Sequence, residues 1–162
     1  MIEIAGTPNG LVRPRNDAVE APRTEAAVIH DTQRVCLAVL REEWTTLALV
    51  STGPGVPGRT VARALVDTAR ACRLRPVREL SAAVAAPGPP LLDELVAARA
   101  GGDGRALVTL EDPASSPASA PLLLAADKVL LLVRLGASRI RSVADVVALV
   151  GRERVVGCVI TK

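Results

Sequence analysis

The stretch Leu47-Ala-Leu-Val-Ser-Thr-Gly53-Pro-Gly-Val-Pro-Gly58-Arg59-Thr60-Val-Ala-Arg-Ala-Leu65 decides the fold. An apolar run, a Gly/Pro-rich loop and an amphipathic run follow one another, which predicts strand, loop and helix. Gly53, Gly58 and Thr60 satisfy the phosphate-loop spacing G-x-x-x-x-G-K-[ST] at every defined position but one, where Arg59 stands for lysine. Glycines let backbone N–H groups turn inward around an anion, and the following helix points its positive end the same way. In such a loop the lysine neutralises phosphate oxygens and the Ser/Thr hydroxyl holds Mg²⁺. The candidate phosphate-binding residues are therefore Gly53, Gly55, Gly58, Arg59 and Thr60, with Thr60 also a candidate metal ligand. Arginine is bulkier than lysine and planar, so the exchange is not conservative at a tight site. Pro54 and Pro57 remove two N–H donors from the same loop. The plain alternative is a strand-to-helix turn that binds nothing.

The remaining composition fits that start. A chain of 162 residues has the length of one domain, and 49% apolar residues suffice for a core. Phe and Tyr are absent and Trp44 is the one tryptophan, so the core is built from Ala, Val and Leu. Small and β-branched side chains suit helices laid on a parallel sheet. The net charge of +3 and the shortage of aromatic side chains argue against a nucleic-acid binder. Cys36, Cys72 and Cys158 are odd in number and far apart, which is neither a zinc pattern nor a disulfide framework. Each reads as a reduced thiol serving as a small core residue. There is no basic-then-apolar leader and no run long enough to span a bilayer.

Along the chain, residues 1–23 read as a loosely packed arm and residues 24–162 as the domain. A helix is predicted from Thr24, its N-cap, with Val28, Thr32, Val35 and Val39 on one face and Ile29, Cys36 and Leu40 beside them. His30, the only histidine, reads as a surface or packing residue. Strand 46–51 and the loop come next, then a helix with Val61, Leu65, Thr68, Ala69 and Cys72 on its apolar side. Arg73, Arg75 and Arg78 form a basic patch, read as a solvated face. A short strand at 76–80, a loop at 85–90 and a helix at 91–100 follow. Residues 105–111 then form an apolar strand that ends in the acids Glu111 and Asp112 before Pro113. The end of a helix at 122–127, a buried strand at 128–134 and a turn at 136–138 come after it. The last elements are a helix with Ile140, Val143, Val147 and Val150 on one face, ended by Gly151, and a strand at 155–160. Strands alternating with helices imply an α/β fold: a central, mostly parallel sheet with helices on both faces.

This order of segments resembles the bacterial tyrosine kinases of polysaccharide synthesis and export, which belong with the MinD/ParA-like P-loop ATPases. The resemblance covers residues 24–162. It rests on the Gly-rich loop, the acid-Pro turn after residue 111, Ala126-Asp-Lys-Val-Leu-Leu-Leu-Val-Arg134, Ser142-Val-Ala-Asp-Val-Val-Ala-Leu-Val-Gly151 and Val155-Val-Gly-Cys-Val-Ile160. It implies a three-layer P-loop NTPase-like fold, ATP or ADP with Mg²⁺ as ligands, and a metal-bound acid at Glu111 or Asp112. It also implies a cytoplasmic protein recruited to the inner face of the cell membrane by a membrane polysaccharide co-polymerase, with homo-oligomers possible.

The departures fall on the chemistry. Arg59 replaces the lysine, and the family's Asp-x-Asp after the second strand has no counterpart, since residues 77–84 hold only Glu79. The C-terminal tyrosine cluster is impossible in a chain without Tyr, and the family's Glu-x-x-Arg-x-x-Arg in the first helix is echoed only by Asp31, Arg34 and Leu37. Phosphoryl transfer is mostly positioning and charge neutralisation, so these losses remove its main contributions. The resemblance thus implies a catalytically degenerate regulator of exopolysaccharide synthesis, with Glu111 and Asp112 the only catalytic candidates. Two alternatives stay open: an active ATPase or kinase using Arg59, and a MinD/ParA-like dimerising scaffold. The expected sheet has strand 46–51 at its centre, with 106–111 and 128–133 beside it.

Overall fold

The computed structural model describes residues 25–56, 58–80, 89–101 and 104–161, with the side chains of residues 25–32 and Pro89 left aside. The arm at 1–23, the Thr24 cap, Pro57, most of the loop at 85–90 and the side chains of Val28, Ile29, His30, Asp31 and Thr32 thus lie outside the described set. The elements are α1 (Glu25–Arg41), β1 (Thr46–Ser51), α2 (Gly58–Ala71), β2 (Val77–Leu80), α3 (Pro89–Ala100) and β3 (Arg105–Glu111). They continue with α4 (Ser119–Ala125), β4 (Lys128–Arg134), α5 (Ile140–Val150), a 3₁₀ turn at Arg152–Arg154 and β5 (Val155–Thr161).

The five strands form one parallel sheet in the order β2-β3-β1-β4-β5. β1 is central as its sequence predicts, pairing Thr46 with Ala106 on one side and Leu47 with Lys128 on the other. A strand buried on both faces has no polar side to offer, and β1 reads Thr-Leu-Ala-Leu-Val before Ser51. Its pleat feeds two cores. Ala48 and Val50 join Leu95, Val108, Leu122, Leu123, Val129, Leu131 and Val146 on the face covered by α3, α4 and α5. Leu47 and Leu49 join Cys36, Val39, Leu40, Trp44, Leu65, Leu107, Leu130 and Leu132 on the face covered by α1 and α2. The chain is therefore a three-layer α/β fold. The topology explains which helix goes where: β1 to β2 runs one way across the sheet, and every later crossover runs the other way. Right-handed connections then place α2 on one face and α3, α4 and α5 on the opposite one.

Small residues let α2 lie close to the sheet: Gly58, Ala62, Leu65 and Ala69 are its buried residues, and Arg63 and Asp67 form an exposed pair one turn apart. α2 ends where Arg73 adopts φ +51° and Leu74 N–H donates to Ala69 C=O at 2.9 Å. That is a left-handed helix stop built without glycine.

Four expected core positions among the described residues are exposed. α1 packs through Cys36, Val39 and Leu40, which leaves Val35 exposed at the margin of the contact face. Cys72 lies one residue beyond the end of α2 and is exposed. Ile140 is the first residue of α5 and is 89% exposed, because that helix reaches the sheet through Val146 and Val150. Cys158, on the outer strand β5, is also exposed, so of the three thiols only Cys36 serves as a core residue, its pKa raised by burial.

Candidate functional site

The carboxyl ends of β1, β2 and β3 open into a cleft of about 770 Å³. Ligands of open α/β sheets bind at this end of the strands. The cleft is lined by the loop from Gly53 to Val56, by Gly58 and Arg59 at the start of α2, and by Ser51, Thr109, Glu111, Asp112 and Ser115. Glu79 and Leu80 at the end of β2 complete the wall. The structure thus brings together Gly53, Gly55, Gly58, Arg59, Glu111 and Asp112 from the sequence-derived set. It does not bring in Thr60, which is exposed on α2 and outside the lining.

The loop is packed against its neighbours. A Cβ on Gly53 would stand 2.9 Å from Ser138 Oγ and 3.1 Å from Ala137 C=O, so the turn after β4 packs on the loop backbone. Gly55 has φ +69°, and its carbonyl accepts from Arg134 Nη1 at 3.3 Å. The Gly58 N–H, which would face a phosphate in a working cradle, donates to Val56 C=O at 2.8 Å. Thr52 is also committed, its N–H and its hydroxyl both donating to Leu132 C=O at 3.0 Å. Pro54 and Pro57 offer no N–H, so these two positions and Gly58 give the loop no free donor.

The acids behave differently from one another. Asp112 is buried, accepts from Ala114 N–H at 2.9 Å through Oδ1, and its carbonyl receives Ser115 and Ser116 N–H. It shapes the turn after β3. Glu111 and Glu79 are exposed along the cleft. Glu79, set aside in the sequence because it stands alone, is in place through topology: β2 pairs with β3, and Glu79 lies opposite Leu107. Thr109 was not legible either; its Oγ1 is buried without a partner and its Cγ2 crowds Gly58. Their position at strand ends is the signal that marks both.

The lining carries three carboxylates against the one guanidinium of Arg59, an electrostatic balance that disfavours a polyphosphate. Among the described residues no group of three or more His, Cys, Asp and Glu is placed to hold a metal ion. With Thr60 outside the cleft and an Asp112 oxygen engaged in its turn, these residues do not fit Mg²⁺.

Gly58 tests the close approach of α2 to the sheet. A Cβ there would sit 2.5 Å from Thr109 Cγ2 and 3.3 Å from Ser51 Oγ. Gly58→Ala is expected to destabilise the protein by about 1–3 kcal/mol, read from the urea midpoint, because the helix must move off β3. No loss would mean the helix start is loosely packed. Comparison of the chain with protein-family models, with curated proteins and with solved structures finds no match.

Proposed function

We propose that the chain is a catalytically silent member of the P-loop ATPase group it resembles, working through binding rather than turnover. One observation carries the reading: the Gly58 amide of the loop that would cradle a nucleotide is engaged by Val56 C=O, and the loop faces three carboxylates across the cleft with Arg59 in place of lysine. A domain of this kind keeps the shape of a nucleotide site as a scaffold for partner contacts. The partner and pathway come from the resemblance: a membrane polysaccharide co-polymerase, at the inner face of the cell membrane, in exopolysaccharide synthesis. No helix among the described residues is long and apolar enough to cross a membrane.

The competing reading, an active ATPase in which Arg59 serves for lysine, is favoured by the presence of Arg59, Glu111 and Asp112 in one cleft. Radiolabelled ATP hydrolysis and phosphotransfer to the co-polymerase separate the two. The protein is expected to show neither, and Arg59→Lys is expected to restore neither. A lysine adds a point charge but does not free the Gly58 N–H or replace the missing second acidic anchor. Turnover by Arg59→Lys at an ordinary enzyme rate, on the order of 10 s⁻¹, would place the site one residue from active and refute the silent reading.

A further inference from the structure

The two ends of the sheet differ in charge. The cleft at the carboxyl ends of the strands is lined by three carboxylates and one guanidinium. At the amino ends, α2 runs out and the chain turns into β2 through Arg70-Ala-Cys-Arg-Leu-Arg-Pro76. Val77 pairs with Arg105 at the start of β3, which fixes the place of this turn. All seven residues of the turn are exposed, Leu74 among them at 39%. Three arginines stand in it, Arg78 follows exposed on β2, and residues 68–78 hold no acid. Arg70, Arg73 and Arg78 have no side-chain partner among the described residues. The backbone beneath them is fixed: Cys72 N–H donates to Thr68 C=O at 2.9 Å, Arg73 N–H to Arg70 C=O at 3.1 Å, and Leu74 N–H to Ala69 C=O. Glu42 and Glu43 precede β1, which lies two strands from β2, about 10 Å at the usual spacing, so they offset this charge only in part. The described chain stops at the opposite end of the sheet, where Thr161 pairs with Arg134.

We propose that this turn rests directly on an anionic membrane surface, with Arg70 and Arg73 on lipid phosphates, Arg78 at the rim and Leu74 dipping between headgroups. Charge complementarity selects the occupant. Guanidinium forks match phosphate oxygens, and each cation held near an anionic leaflet adds to binding without a shaped partner. An aliphatic side chain set between cations is the pattern of an interfacial anchor. A protein partner would instead need a packed apolar centre, and Leu74 is the only large apolar side chain exposed between residues 70 and 78. A nucleic acid would need stacking platforms, and the turn holds no aromatic residue. The contact goes beyond the function proposed above, since it needs neither the co-polymerase nor an occupied cleft. It also turns the carboxylate-lined cleft, at the other end of the sheet, away from the lipid.

Flotation of the full chain with lipid vesicles, no partner protein present, tests this. The wild type is expected to float with vesicles of phosphatidylglycerol and phosphatidylcholine, not with phosphatidylcholine alone, and to be released as salt is raised. Arg70→Gln/Arg73→Asn is expected to weaken the partition about 25-fold, at about fivefold per arginine. Asparagine suits the left-handed backbone at 73, where φ is +51°, and unchanged Trp44 fluorescence reports folding. Arg139→Gln/Arg141→Gln removes the same charge from the start of α5, at the carboxyl end of the sheet, and is expected to change the partition less than about twofold. Cys72 is exposed within the turn, so in Cys158→Ser an environment-sensitive fluorophore on it is expected to shift to the blue on mixed vesicles. No flotation of the wild type, equal losses in the two double variants, or a Cys72 label that stays in water would each overturn the proposal. Retention on poly-glutamate without binding to vesicles would overturn it as well, assigning these arginines to an acidic protein.

Discussion

Trp44→Ala is expected to destabilise the protein by about 4 kcal/mol, the typical cost of emptying a buried tryptophan site. Trp44 is the one aromatic residue of the chain and is 4% exposed, packed with Cys36, Val39, Leu40 and Leu47 under β1. Its ring N–H donates to Val39 C=O at 2.9 Å, and the Arg105 guanidinium lies 4.6 Å from the ring centroid. Arg105 is itself buried, its pKa lowered first by burial and then by the charge of Arg75. It closes the end of α1 by donating to Leu40 C=O at 2.6 Å and to Glu42 C=O at 2.9 Å. Removing the indole therefore opens a cavity and takes away the surface on which this cation rests. Urea unfolding followed by far-ultraviolet circular dichroism measures the loss, since the fluorophore goes with the mutation. A double-mutant cycle with Arg105→Ala is expected to show coupling above about 0.5 kcal/mol. Additive losses would mean the stacking contributes nothing beyond burial.

Asp127→Ala is expected to lower stability by about 3 kcal/mol, because it strands two backbone donors at the start of the central strand. Asp127 Oδ2 accepts from the N–H groups of Thr45 and Thr46 at 3.0 Å each, while its own N–H donates to Thr46 Oγ1 at 2.9 Å. Its other oxygen lies 2.7 Å from Arg99 Nε, and Arg99 is more than half exposed. The amides and the ion pair can be separated by substitution. Asp127→Asn keeps an acceptor for both amides and is expected to lose only about 1 kcal/mol. Arg99→Ala is expected to lose less than about 1 kcal/mol, as exposed ion pairs do. If Arg99→Ala matched Asp127→Ala under urea, the ion pair rather than the strand cap would hold this corner. Asp127 lies in the Ala-Asp-Lys-Val segment on which the resemblance partly rests, so that segment carries a structural role in joining β4 to β1.

The sheet was legible because burial leaves a mark in sequence. β1, β3 and β4 are apolar nearly throughout, and only a strand covered on both faces tolerates that. Helix faces were legible to within a residue or two. The period places Val35 and Ile140 on apolar stripes, but the helix rotation and the point where a helix meets the sheet decide which of those residues is covered. The cleft was legible in its loop and its acid-Pro turn, which are local in sequence. Three of its features were not. Glu79 reaches the wall through the β2–β3 pairing, and the loop is packed against Arg134, Ala137 and Ser138 at and after the end of β4, more than 75 residues away. The Gly58 N–H bond to Val56 is a matter of backbone geometry that residue types do not specify.

The central proposal, that the Gly53–Thr60 loop holds nucleotide weakly or not at all, is met most directly by calorimetric titration of ATP with Mg²⁺ into the purified protein. Three carboxylates, a missing lysine and an internally satisfied Gly58 amide lead to weak or absent binding. The dissociation constant is expected to be no tighter than roughly 0.1 mM, about −5.5 kcal/mol. A saturating isotherm with a dissociation constant in the low micromolar range, lost when Mg²⁺ is withheld, would contradict it.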